Sequence, residues 1–159
     1  MESPARITTH YEDQVRLRLS GQRYLTEQQE RELLLEALDI GLSLEEAKGL
    51  LAATVAKRRA ARELTLDHDM AVTIETMAGD NGWISRTTFN HAASLYRRLS
   101  GGAVGEAEAK SRVKQLMLSR GWKIRGEIVF GTPHWFRRIP VEPAGSNNAL
   151  QKKRGGTIW

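Results

Sequence analysis

The chain has 159 residues, of which 40% are hydrophobic, so we expect one domain with a modest core rather than multidomain machinery. It contains no cysteine, which excludes disulfides, thiolate metal sites and a thiol nucleophile and is typical of a reducing cytoplasm. The net charge is +5, and no apolar run is long enough for a membrane span or a signal peptide. We therefore expect a cytoplasmic protein that does not enter a membrane.

The positive charge is concentrated at one end of the chain. Residues 105–159 carry eleven Lys or Arg side chains against four Glu, a net charge of +7, whereas the preceding residues are slightly acidic overall. This asymmetry is typical of proteins that bind polyanions such as nucleic acids. A solvated basic face without a ligand gives the same count, so both interpretations stay open.

Residues 1–25 are expected to form an N-terminal arm. The apolar residues Val15, Leu17 and Leu19 alternate with polar ones, which predicts a short strand or a segment that becomes ordered on a partner. An arm of this kind could touch DNA, but an N-terminal extension that packs on its own domain is favoured.

Residues 26–64 are predicted to form a helical hairpin. Thr26 is a suitable N-cap for a helix over residues 27–40, and Ser43 with Glu46 three residues later forms a capping box for a second helix. The second helix ends in a basic cluster that suits its macrodipole. Because only a few residues join the two helices, antiparallel packing is expected.

The chain from residue 65 to residue 99 predicts a helix, a short strand and another helix. Apolar residues from Leu66 onward follow each other at steps of three and four and predict a helix that ends at the turn 79–82. Trp83–Ile84 is typical of a short strand, and Ser85 is the N-cap of a helix that runs to Leu99.

Residues 106–139 predict one more helix followed by a β-hairpin. The helix covers residues 106–120 and ends at Gly121. Beyond it, residues 122–130 alternate as a strand, residues 131–133 form a turn, and residues 134–139 return as a second strand.

This order of elements resembles the winged-helix variant of the helix-turn-helix over about residues 66–140, within an expected domain of residues 65–140. The resemblance rests on the order and lengths of the elements and on no diagnostic motif. The expected fold is therefore mainly α with a small β-hairpin: a helical hairpin, a winged-helix-like unit and a basic, flexible tail over residues 141–159.

The resemblance implies DNA binding. In winged helices the third helix enters the major groove and the wing contacts the backbone. Glu106 and Glu108 in the first turn of that helix would face phosphates, so we expect the hairpin to carry most of the binding. The candidate nucleic-acid-binding residues are Lys110, Lys114, Lys123, Arg125, Arg137 and Arg138.

The alternative is a protein-interaction adaptor that uses the same unit or the helical hairpin, since fold alone does not determine function. Trp83 and Trp122 are expected in the core, while Trp135 and Trp159 are candidate partner-binding residues. The oligomeric state stays open.

The sequence predicts no enzyme, no metal site and no cofactor. The four histidines lie in different predicted elements, without a phosphate loop or a nucleophile elbow. Residues 79–85 share the central Gly and Ile of an EF-hand loop, but the positions of its first and last ligands are Met77 and Thr88, which have no carboxylate. A metal-free relative of such helical pairs is an alternative fold for residues 27–100.

Overall fold

The computed structural model describes residues 4–126 and 131–141. The elements in these ranges are, in chain order, α1 (Pro4–Arg18), β1 (Tyr24–Leu25), α2 (Glu27–Asp39), α3 (Leu44–Lys57), β2 (Ala61–Arg62), α4 (Glu63–Ala78), β3 (Trp83–Ile84), α5 (Arg86–Leu99), α6 (Glu106–Ser119), β4 (Lys123–Ile124) and α7 (His134–Arg137). The expectation of a mainly helical chain is confirmed.

The same order of elements occurs twice. In the first unit, residues 4–62, a helix and a two-residue strand precede two helices and a second strand, and the strands β1 and β2 pair in parallel. In the second unit, residues 63–141, α4, β3, α5, α6 and β4 repeat this order, and β3 and β4 also pair in parallel. Two helix–strand–helix–helix–strand units therefore follow each other, each around its own hydrophobic core.

The buried positions of the two units correspond as well. In α3 the core residues recur every four positions, as they do in α6, so that each helix buries one stripe. These residues are Ala47, Leu51 and Val55 in the first unit and Ala109, Val113 and Met117 in the second. The chain thus repeats its packing pattern although few aligned residues are identical.

The predicted helix starts are confirmed by their caps. The side chains of Thr26, Ser43 and Ser85 each accept a hydrogen bond from the backbone N–H three residues later. Thr26 and Ser43 complete capping boxes with Gln29 and Glu46. Each cap satisfies an N–H group that has no partner within its helix.

The strand predicted around Val15, Leu17 and Leu19 is wrong, because these residues belong to the end of α1 and the turn that follows. Val15 and Leu19 are buried with Tyr11 at four-residue spacing, whereas the side chain of Leu17 is 71% exposed. Over three residues, an alternating pattern and one face of a helix are indistinguishable. The N-terminal segment is a packed helix that contacts α2 and α3.

The predicted hairpin is wrong in its returning strand. Residues 134–137 form the short helix α7, which follows Pro133, and Phe136 is buried against Phe89 of α5. The partner of β4 is β3, in parallel, and not a strand from residues 134–139. The predicted strand positions Ile128 and Phe130 lie outside the described residues.

Buried polar contacts join the two units. Tyr24 of β1 lies in the core of the second unit, where its hydroxyl is 3.5 Å from that of Tyr96, and the Tyr96 hydroxyl donates to Asp67 at 2.5 Å. Glu63 at the start of α4 accepts the backbone N–H of Glu27 at 3.0 Å. The first unit is therefore fixed to the second through side chains of both.

Candidate nucleic-acid interface

A cleft of about 760 Å³ opens at the end of the second unit, where β3, β4 and the start of α7 meet. We call it the tryptophan cleft, after Trp83 and Trp122, which line it with Leu118, Lys123 and Arg125. Among the described residues that line it, two carry a positive charge and none carries a carboxylate. An anionic ligand would therefore meet attraction at this site without an opposing charge from these residues.

The register of the two strands places the key side chains. Trp83 is paired with Lys123, and Ile84 is paired with Ile124. Because successive side chains of a strand point to opposite faces, both isoleucines enter the core while Trp83 and Lys123 face outward. The ammonium group of Lys123 consequently lies 5.7 Å from the centre of the Trp83 ring, in a cation–π contact.

Trp122 forms the inner wall of the cleft. Its side chain is half-buried and packs against the core of the second unit, as expected from the sequence. Gly82 has a φ of +64°, and a Cβ at this position would lie 3.6 Å from Cδ1 of Trp122. That distance is an ordinary van der Waals contact, so it is the left-handed turn before β3 that favours glycine here.

Two further cations are exposed at the end of α7. Arg137 and Arg138 are exposed directly after the buried Phe136. Trp135 is half-buried, with its ring 5.4 Å from that of Phe89 and with the guanidinium of Arg86 5.0 Å above it. Trp135 therefore anchors α7, while the two arginines face solvent.

The predicted binding residues divide into exposed and internal ones. Lys123, Arg125, Arg137 and Arg138 are exposed, as the interpretation of a basic end requires. Lys110 forms a 2.6 Å ion pair with Glu106 of its own helix. Trp159 lies outside the described residues.

Lys114, one of the candidate nucleic-acid-binding residues, does not lie on an exposed face of α6, and neither does Ser111. Lys114 is 8% exposed, and its Nζ donates to the carbonyl oxygens of Phe136 (2.8 Å) and Ile139 (2.7 Å). Ser111 donates to the carbonyl oxygen of Pro140 at 2.7 Å. Their helix face is covered by the chain from α7 onward, so it is closed to a DNA groove.

The expectation that Trp83 belongs to the core is also wrong, since its side chain is 43% exposed. The sequence contains one signal for this placement. Successive side chains of a strand point to opposite faces, and Ile84 takes the face toward the core of the second unit.

A second cavity, of about 660 Å³, lies between α5 and α6. Arg97, Arg98 and Lys110 line it, but so does Glu106. The hydrogen bond and charge of Lys110 hold the pKa of Glu106 below its usual range. The ionised carboxylate opposes an anionic ligand in this cavity, whereas no described residue that lines the tryptophan cleft does so.

Neither a candidate metal site nor a membrane-spanning helix occurs in the part of the chain that the structure describes. Within it, no group of three or more His, Asp and Glu side chains is arranged to hold a metal ion. None of the described helices has the length and apolar character needed to cross a membrane. Comparisons with protein-family models, curated proteins and solved structures gave no match.

Proposed function

We propose that the protein is a non-enzymatic nucleic-acid-binding protein that acts through the tryptophan cleft and the exposed arginines of α7. The observation that carries the proposal is the composition of the cleft, which combines two indoles with two cations and, among its described lining residues, no carboxylate. Aromatic rings beside cations are the side chains that contact both bases and phosphates.

Electrostatic attraction supplies most of the affinity. Lys123, Arg125, Arg137 and Arg138 are exposed, and none of them forms an ion pair with a described residue. Each can neutralise one phosphate and release its counterions. Other cations of the basic end are engaged internally: Lys110 with Glu106, Arg112 with Glu63, and Lys114 with backbone carbonyls.

Little sequence discrimination is expected. Base edges of a duplex are usually read by the exposed face of a helix in the major groove. The side chains of α6 that would serve this purpose, Ser111 and Lys114, donate to the backbone of residues 136–140. Phosphate contacts without a reader helix give affinity with low specificity.

The test is a salt titration of binding to labelled oligonucleotides by fluorescence anisotropy. Four phosphate contacts predict a slope of about −3 to −4 for log K against log salt. The double variant Arg137→Ala and Arg138→Ala should bind more weakly and flatten the slope by about 1 to 2. The control Arg31→Ala with Lys48→Ala removes the same charge from exposed pairs of the first unit and should leave binding unchanged. Absence of binding at low salt would refute the proposal.

A second candidate function, protein docking, is favoured by the surface of the helical hairpin. Leu35 and Leu38 on α2 are 56% and 43% exposed, and Leu44 at the start of α3 is 42% exposed. Leu35 and Leu38 lie three residues apart and so share a helix face. The matching test is retention of a partner from nuclease-treated extract that Leu35→Ser with Leu38→Ser abolishes. Equal retention by the variant would count against this surface.

A further inference from the structure

We infer that the ligand of the tryptophan cleft is single-stranded nucleic acid, with one base stacked on the indole of Trp83. This inference rests on the proposed function and names the form of nucleic acid that the cleft accepts. It is carried by the exposure of Trp83, by the neighbouring cations, by the size of the cleft and by the closed face of α6.

Trp83 offers a flat apolar surface to solvent. Its side chain is 43% exposed, while its neighbour Ile84 is 1% exposed and fills the core. The strand and the Ser85 cap that follows it fix the backbone at this position, and the indole lines the cleft. Bases stack on such rings whatever their sequence, because every base has a π face.

Lys123 and Arg125 lie near the Trp83 ring and can contact the phosphate of a nucleotide whose base stacks on it. The ammonium group of Lys123 lies over one face of the Trp83 ring, 5.7 Å from its centre, so a base would stack on the opposite face; Arg125 lines the same cleft two residues further along the chain. A base stacked on Trp83 would carry its phosphate past these side chains. Stacking and phosphate contact are thus available to one nucleotide at the same time.

Access to a π face requires an unpaired base. In a duplex each base is covered by its neighbours, so an aromatic side chain reaches only bases that are single-stranded or splayed out. The cleft of about 760 Å³ has the size of a site for a small ligand rather than for a double helix.

The structure also lacks, in its described part, the usual means of reading a duplex on this side. The face of α6 that carries Ser111 and Lys114 is covered by residues 136–140. A helix with this face buried cannot present it to a major groove. The tryptophan cleft, which Leu118 at the other end of α6 helps to line, is open.

The experiment compares binding of the full chain to a labelled oligonucleotide of about 12 nucleotides as single-stranded DNA, as single-stranded RNA and as a blunt DNA duplex of the same sequence. Single strands should bind more tightly than the duplex and should quench tryptophan fluorescence. Trp83→Ala should weaken single-strand binding by about 5-fold to 100-fold without changing the salt slope. Trp83→Phe should recover most of the affinity, because it restores a stacking ring.

Trp83→Leu keeps an apolar side chain but has no π face, and it replaces Trp83→Ala in the experiment if that variant does not fold. Its affinity for single strands should be as low as that expected for Trp83→Ala. Equal affinity for single strands and duplex, or unchanged single-strand binding by a folded Trp83→Leu, would overturn the inference while leaving the proposed function standing. Failure of the wild-type chain to bind any of the three oligonucleotides at low salt would overturn both. A difference between the DNA and RNA arms shows which single strand the cleft prefers.

Discussion

The guanidinium of Arg112 on α6 lies 2.5 Å from the carboxylate of Glu63 at the start of α4, inside the junction of the two units. The Glu63 side chain is 4% exposed and that of Arg112 is 23% exposed. Because Glu63 also accepts the backbone N–H of Glu27, this carboxylate connects α2, α4 and α6. The stability of the junction should therefore depend on its charge being matched.

Arg112→Met should destabilise the protein by about 3 to 5 kcal/mol at neutral pH, because it leaves the Glu63 carboxylate buried without a counter-charge. Urea unfolding followed by circular dichroism measures the change. Arg97→Met, which removes an exposed cation from α5, is the control and should stay within about 0.5 kcal/mol of wild type.

The loss of unfolding free energy caused by Arg112→Met should become smaller at acidic pH. Burial already raises the pKa of Glu63, and loss of Arg112 raises it further. A carboxyl with a raised pKa in the folded state stabilises the fold only while it is protonated, so stability is lost as pH rises through that pKa. If the difference in unfolding free energy between Arg112→Met and wild type stayed constant down to about pH 4, the destabilisation could not be assigned to Glu63.

Lys114→Met should lower stability by about 1 to 3 kcal/mol, because it removes the donor from two carbonyl oxygens at the end of α7. Lys110→Met, which breaks an exposed ion pair on the same helix, should cost less than about 1 kcal/mol. Denaturant unfolding of both variants checks the difference. If Lys114→Met weakened nucleic-acid binding at unchanged stability, Lys114 would be a ligand contact instead.

Tyr11→Phe should change stability little at neutral pH and improve it in alkali. Among the described residues, the Tyr11 hydroxyl is the buried side-chain group without a hydrogen-bond partner, and burial raises the pKa of Tyr11 to about 12. A raised pKa means that the stability present below about pH 10 is lost as pH rises toward 12. At pH 11 the free energy of unfolding of Tyr11→Phe should exceed that of wild type by on the order of 1 kcal/mol. Parallel unfolding curves of variant and wild type at pH 8 and pH 11 decide this.

Arg59→Gly should stabilise the first unit. Arg59 follows α3 with a φ of +52°, and the corresponding position after α6 is Gly121 with a φ of +69°. The left-handed conformation destabilises a non-glycine residue by about 1 kcal/mol, whereas glycine, which has no Cβ, adopts it without this penalty. The reciprocal variant Gly121→Ala should lose a similar amount. Thermal unfolding measures both changes in stability. Arg59→Gly should raise the melting temperature and Gly121→Ala should lower it, and changes of the same sign would contradict the prediction.

Local chemistry made several elements predictable. Thr26, Ser43 and Ser85 cap helices through hydrogen bonds that span three residues, so their roles follow from nearby sequence. The stripe Ala109, Val113 and Met117 follows from helical spacing in the same way. These features involve no partner distant in the chain.

The repeat of the two units was less visible. It lies in the positions of buried residues and caps, and the aligned side chains differ, as Leu25 and Ile84 or Ser43 and Gly105 do. A two-residue strand is also too short to indicate its partner, so the parallel pairing of β3 with β4 was not foreseen.

The sequence by itself determined a mainly helical chain, the starts of its capped helices and a cationic C-terminal end, because each depends on composition or on contacts within one turn. Only the tertiary structure decided which cations reach solvent and which tryptophan does. Residues 134–139 are expected from the sequence to return as a strand after the turn 131–133, yet contacts with Phe89 and Lys114 hold them as α7 and the chain after it. The same packing buries Lys114 and leaves Trp83 at the mouth of the cleft, since burial depends on neighbours that the chain brings together only when it folds.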